Sequence, residues 1–285
     1  MKLRSKLLNA HEISVIDQER MFAILTKYYH GVSWESFKHD LSEKSHVILL
    51  VADDESVQGF STVMSGELEI QGKRVMTVFS GDTILEPKYW GSPALGIGFI
   101  RFLLSLKFKN PFTPVYWFLI SKGYKTYLLM SNNFTEYYPN PAKRTPSFEA
   151  EMMDAYYAKK YPAEYDSSRH IITFGENVTC RLKEKVAAIT PEHRATVPKI
   201  AFFESLNPRW ERGDELACVA KMTFDMPVRY LLKRLFLRKR SKPKKSQIQI
   251  VPVTASASLT TASTARRKKL IRETAHSQRQ DKIGG

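Results

Sequence analysis

The chain has 285 residues and 43% hydrophobic content, enough for one large or two small domains with a real core, so disorder throughout is excluded. Its formal net charge of +15 is unevenly placed: from Arg229 to the end there are 16 Lys and Arg against only Glu273 and Asp281, which leaves residues 1–228 almost neutral. Any argument from charge is therefore an argument about the C-terminal tail.

In chain order, Met1 to Leu8 begin as a secretory leader would, but His11 and Glu12 interrupt the run before an apolar stretch forms, and secretion is not expected. Ser14 and Asp17 mark a helix start, and Phe22, Ile24, Leu25 and Tyr28 continue it with helical spacing to about His30. A second short helix is expected between Ser33 and Lys44. His46–Val51 and Val57–Met64, joined by the turn Asp53-Asp54-Glu55-Ser56, read as an antiparallel hairpin. Arg74–Ile84 is another long strand, after turns at Gly66 and Gln71-Gly72.

The next stretch changes character. Tyr89-Trp90-Gly91-Ser92-Pro93-Ala94-Leu95-Gly96-Ile97-Gly98 is a small-residue turn leading into an apolar helix over Phe99–Leu106, and Pro114–Ile120 is then a buried strand. Strand, glycine-bearing turn, helix and strand make a βαβ layout. The apolar run Leu95–Ile120 is broken by Arg101, Lys107, Lys109, Asn110 and prolines, too short to span a bilayer. Farther on, Ser147–Tyr161 has helical spacing, Ile171–Thr179 suits a strand, and turns fall at Asn207-Pro208 and Gly213-Asp214.

Over roughly Ser45–Phe134 the pattern resembles the GNAT superfamily of N-acyltransferases, carried by Val75–Thr83, Tyr89–Gly98 and Val115–Ile120. The resemblance implies an α+β fold with a GNAT-like mixed, mostly antiparallel sheet flanked by helices. Residues 1–140 would be the acyltransferase core, and 141–225 a C-terminal extension packing on it. A basic amphipathic helix (226–240) and a disordered basic tail (241–285) would follow.

By the same resemblance, Trp90, Gly91, Ser92, Ala94, Leu95, Gly96, Gly98 and Trp117 would hold the thioester carrier, whose pyrophosphate meets backbone N–H groups at a helix start. Trp90 stands where the family usually has Arg, and Pro93 has no N–H to donate. Asp82 or Glu86 would be the general base, and Tyr127, ahead of Tyr124, the acid.

The implied reaction moves an acyl group from acyl-CoA or acyl carrier protein, as co-substrate, to an amine acceptor. The apolar residues around Phe99, Phe102 and Trp117 would suit a long acyl chain. The alternatives are a catalytically inactive GNAT-fold ligand-binding protein and a peripheral membrane protein acting through its tail. Residues 226–245, with Val228, Leu231, Leu232, Leu235 and Phe236 on one face, suggest an anionic membrane surface ahead of nucleic acid as partner. No metal spacing links the seven histidines with Cys180 and Cys218, and the two cysteines suggest a reducing, cytoplasmic setting, peripheral at the inner membrane surface.

Overall fold

A computed structural model describes residues 2–174, 181–182, 189–226 and 228–229. Five strands open the sheet or pair beside it: β1 (Arg4–Asn9), β2 (Tyr29–His30), β3 (His46–Val51), β4 (Val57–Ile70) and β5 (Lys73–Leu85). The later strands are β6 (Val115–Ser121), β7 (Glu136–Tyr138), β8 (Tyr165–Asp166), β9 (Ile171–Ile172), β10 (Arg181–Leu182) and β11 (Glu215–Lys221). The helices are α1 (Val15–Tyr28), α2 (Trp34–Ser42), α3 (Ala94–Lys109), α4 (Tyr124–Asn133), α5 (Ser147–Lys160), α6 (Pro191–Thr196) and α7 (Pro198–Leu206).

The fold is α+β, with a mixed sheet in the order β1-β3-β4-β5-β6-β11-β9-β8 and β7 also paired with β11. Every pairing is antiparallel except β5 with β6. That single parallel pair is the consequence of α3, which carries the chain back across the sheet between the two strands. β2 pairs with β10 outside this sheet.

Alternation along the strands sends apolar side chains to both faces. On one face Ile48, Val78, Trp117 and Cys218 pack with Phe102 and Leu103 of α3, Tyr127 of α4 and Phe203 of α7. The opposite face holds two separate clusters. Val47, Leu49 and Phe60 lie under α1 and α2, and Phe79, Phe118 and Val219 lie under Met153 and Tyr157 of α5. Each fully buried phenylalanine contributes about 1.5–3 kcal/mol relative to exposure.

The helix signals are where the sequence puts them. Ser14 Oγ accepts from Asp17 N at 3.1 Å to cap α1, and Ser33 and Ser36 close a reciprocal cap on α2. α3 begins five residues earlier than the spacing predicts, at Ala94. Among strands of six residues or more, two are additional to the sequence reading: β1, which pairs with β3 from Arg4↔Val51 to Asn9↔His46, and β11, which pairs with β6 from Leu216↔Ser121 to Lys221↔Tyr116. β11 brings residues from the region expected to pack as an extension into the middle of the sheet. Of the expected strand Ile171–Thr179 only Ile171–Ile172 is seen, and residues 175–179 lie outside the described ones. Cys218 is buried in β11, while Cys180 and the expected helix and tail beyond Arg229 also lie outside them.

No helix of the described residues is long and apolar enough to cross a membrane. Where β4 meets β5, a Cβ built on Gly59 would stand 2.5 Å from the carbonyl oxygen of Ile84 and 2.9 Å from Leu85 Cα, both backbone atoms that cannot step aside. Gly59→Ala should therefore cost about 3 kcal/mol, the upper end of overpacking penalties. A urea titration should show a lowered midpoint with an unchanged slope, and an unchanged midpoint would contradict the close approach.

Candidate active site

The parallel pair β5–β6 is short. It runs from Met76↔Val115 to Phe79↔Phe118, after which the strands part. β5 stays with β4 as far as Leu85, and β6 stays with β11 as far as Ser121. Past Phe79, backbone groups of β5 that point toward β6 have no strand partner there, so the fork is lined with donors and acceptors. β5 also carries a bulge: between the pairs Ser61↔Thr83 and Val63↔Ser80 it spends one residue more than β4. The bulge bends β5 at Gly81-Asp82, directly beside the fork.

At the head of the fork Trp117 Nε1 donates to Ser80 Oγ at 3.0 Å, joining the two strands just as they separate. The Trp117 ring packs on Phe99 (4.8 Å between centroids) and Phe134 (5.2 Å). β5 is followed by the turn Pro87–Tyr89, Gly91 at φ +84° and the start of α3. The positive φ explains the glycine at that corner.

Pro93 is the residue before the first turn of α3, so it removes one of the four N–H groups that a helix start leaves open. Ala94 N has Ser92 Oγ at 3.3 Å, and Leu95 and Gly96 keep N–H groups without an intrahelical acceptor. With the helix dipole behind them, these suit an anion. Gly98 does a different job from the one the resemblance implies. A Cβ there would stand 2.7 Å from Ile48 Cγ2 and 2.9 Å from Ser5 Cβ, so this glycine lets α3 lie against β1 and β3. Trp90 Nε1 donates to Leu85 O at 2.9 Å and braces the turn.

The other face of the fork is polar and buried. Between the cluster under α1 and α2 and the cluster under α5 lie Asp40 and Lys44 at the end of α2, Asp82 on the bulge, Lys160 ending α5, and Glu215 on β11 with Lys122. Lys44 Nζ donates to Asp40 Oδ1 at 2.6 Å, and Lys122 Nζ is 3.4 Å from Glu215 Oε1. Lys160 Nζ sits 4.7 Å from the centroid of Phe79, the last β5 residue paired with β6, and 3.5 Å from Met64 Sδ.

Three buried oxygens here, Asp82 Oδ1, Glu215 Oε2 and Thr62 Oγ1, have no hydrogen-bond partner. Unpaired buried polar atoms are costly, and their concentration beside an opened sheet marks a place built for something other than packing.

The electrostatics agree. Burial, followed by the negative charge of Asp40, pushes the Asp82 carboxyl well above the usual carboxylate range, with Lys44 opposing. Burial also raises Glu215, against Lys122. Lys160 is pushed down to about 8 by burial and by Lys44. A carboxyl raised toward neutrality and an amine lowered toward it are suited to exchanging protons near neutral pH.

The remaining sequence candidates fall elsewhere. Glu86 is ion-paired with Lys27, has Arg20 Nη2 at 3.7 Å, and accepts from Tyr28 Oη at 3.2 Å. Burial raises its pKa, but these partners outweigh burial and hold it below its ordinary value, so Glu86 is a poor base. Tyr127 is wholly buried between Tyr137, Phe202 and Phe203, and its hydroxyl donates to Pro139 O at 2.9 Å. Burial pushes its phenol far up, and its proton is committed to the α4–α7 core. Tyr124 starts α4 just after β6, with its ring 5.6 Å from His193, and burial raises it as well.

Asp40, Lys44, Lys160, Lys122 and Glu215 were not singled out in the sequence. Asp40 and Lys44 carry an i, i+4 spacing that could have been noticed, and Glu215 is a charge opening an otherwise apolar strand. Lys160 has no local signal at all. Among the described residues no group of three or more His, Cys, Asp or Glu is placed to hold a metal ion.

No family model matches the sequence, and no curated protein matches it. Solved structures do. An Enterococcus faecalis protein described as a probable N-acyltransferase is 16% identical at a TM-score of 0.35, over 48% of this chain and 34% of that one. The Escherichia coli GNAT family N-acetyltransferase YhbS, solved in complex with CoA, is 19% identical at 0.34, over 52% of this chain and 79% of that one. A Trypanosoma brucei acetyltransferase is 13% identical at 0.33, over 51% and 97%. The chain spans about a third of the length of the first of these, and the likeness is one of layout alone.

The Asp82 shift has a measurable consequence. Because its folded pKa lies above the unfolded value, the folded state holds an extra proton between the two, and stability falls as pH rises through that window. Between pH ~5 and pH ~7.5 the wild-type urea midpoint should fall more steeply than that of Asp82→Asn, which cannot ionise. Parallel curves for the two would show that Asp82 is not held protonated by burial.

Proposed function

We propose that this protein is a GNAT-type acyltransferase that binds an acyl thioester in the β5–β6 fork and transfers the acyl group to an amine. The observation that carries the reading is the parting of β5 and β6 after Phe79↔Phe118, next to the open N–H groups of Leu95 and Gly96. A thioester arm can hydrogen-bond along the exposed edges of both strands as an added strand would, while phosphates meet the start of α3. CoA and acyl carrier protein both present such an arm.

The acceptor amine then approaches from the α2–α5 face, where Asp82 faces the fork. Ionised Asp82 takes a proton from the ammonium, the free amine attacks the thioester carbonyl, the attacking nitrogen releases its second proton to solvent, and the carbon–sulfur bond breaks to give an amide and a thiolate. Backbone N–H groups freed by the Gly81-Asp82 bulge are placed to polarise the carbonyl. Lys160, with a pKa near 8, is the group able to return a proton to the departing sulfur. Tyr124, at the start of α4 just after β6, is the remaining tyrosine candidate for that step.

Calorimetric titration with CoA and with acetyl-CoA, followed by thiol-release assays against a panel of amines, tests this. Binding should be abolished or strongly weakened by Gly96→Pro, which removes an N–H from the start of α3. Asp82→Asn should retain binding and lower kcat by about 10²–10⁴, the usual worth of a general base. In the wild type, activity should rise with pH through neutrality as Asp82 ionises, and the variant should lose that limb. Absence of CoA binding by the folded chain, or full activity in Asp82→Asn, would contradict the proposal.

A further inference from the structure

At the end of the sheet away from the fork, three phenylalanines stand in solvent. Phe108 is 81% exposed, Phe112 98% and Phe224 77%. One lysine ties them into a single face: Lys107 Nζ donates to Thr113 O at 2.9 Å, next to Phe112, and lies 5.1 Å from the centroid of the Phe224 ring, while Phe108 follows it in the chain. The last turn of α3, the loop after it and the segment leaving β11 thus meet here, and Met222 N donates to Val115 O at 2.9 Å to hold that segment against β6.

Val228, 57% exposed, comes four residues after Phe224. Lys221 stands near Lys107 and pairs with Glu136, and Arg229 pairs with Asp225 close by. Single exposed apolar residues are ordinary on a protein surface, but three phenylalanines on one rim of cations form a patch of the kind that marks an interaction surface.

Charge and chain continuity say what covers it. The stretch from Arg229 onward, with 16 Lys and Arg against two acidic residues, starts five residues after Phe224. Its first apolar positions, Leu231, Leu232, Leu235 and Phe236, continue from Val228 at the spacing of one helix face. Those positions are mostly aliphatic, and aliphatic side chains suit acyl chains better than stacked nucleic-acid bases.

We propose that this face docks on an anionic lipid surface, with Phe108, Phe112 and Phe224 entering the interface while Lys107 and Lys221 meet the headgroups. α3 spans about 24 Å from Ala94 to Lys109 at 1.5 Å per residue, so the fork at its start is held away from the lipid. A docked chain keeps its fork open to a soluble thioester. The docking does not depend on the catalytic proposal.

Flotation of the full chain with vesicles of phosphatidylcholine, alone or mixed with phosphatidylserine, tests it. The wild type should float with the anionic vesicles and stay behind with the neutral ones. Combined Phe108→Ser, Phe112→Ser and Phe224→Ser should reduce flotation by at least about tenfold, since each interfacial phenylalanine adds apolar contact that serine cannot. Circular dichroism checks the fold, and Phe112→Ser alone, at the most exposed position, should give a smaller loss should the triple variant prove unstable.

Flotation of the triple or single variant equal to wild type would show that the tail alone binds and overturn the role of this face. A wild-type chain that ignores anionic vesicles overturns the proposal outright. If that chain is instead retained on single-stranded RNA, the face belongs to nucleic acid.

Discussion

Two strands that begin as neighbours are held by different partners. β4 holds β5 as far as Leu85, β11 holds β6 as far as Ser121, and neither pairing can be given up without losing sheet hydrogen bonds. Between these two commitments the β5–β6 ladder ends after four residue pairs. The Gly81-Asp82 bulge, the Trp117–Ser80 hydrogen bond and the unpaired oxygens of Asp82, Glu215 and Thr62 all follow the resulting fork. A sheet whose only task was stability would close this gap. Keeping it open forfeits backbone hydrogen bonds and leaves buried polar atoms unsatisfied, each at about 1–3 kcal/mol.

The two faces of the fork differ in chemistry. Toward α3, aromatic side chains around Trp117 lead to a helix start with open N–H groups, a setting for an extended arm ending in phosphates. Toward α2 and α5, three carboxylates and three ammonium groups crowd into a space from which water is largely excluded, and burial raises the carboxyls of Asp82 and Glu215 and lowers the amine of Lys160. On the proposed function, this division would put a charged carrier on one side and proton transfer on the other. It gives physical content to an acyltransferase reading that sequence comparison alone does not supply.

Much of the central layout was legible from sequence because its signals are local. The hairpin of β3 and β4, the long β5, the glycine-bearing turn and the buried β6 each announce themselves by alternation or punctuation, and Asp82 and Trp117 could be named as candidates because they sit on those elements. β1 was not, since Arg4 and Lys6 make its outward face look like a basic leader. β11 follows two turn signals and becomes a central strand only by pairing with β6, nearly a hundred residues away. The resemblance put Tyr127 on the helix after β6, where it lies, but a layout cannot distinguish a phenol reaching a cleft from one bonded to Pro139 O inside the core. The polar cluster was invisible for the same reason: Lys44, Asp82, Lys160 and Glu215 are brought together only by the completed sheet.

Amide hydrogen exchange of the intact chain, with and without saturating CoA, tests the fork most directly, because it reads the backbone groups on which the account rests. CoA should slow exchange at Ser80 to Thr83, at Leu119 to Ser121 and at Leu95 and Gly96 together, while leaving the β3–β4 hairpin unchanged. Protection confined to any other part of the sheet, or none in a chain that remains folded, would contradict a carrier site between β5 and β6.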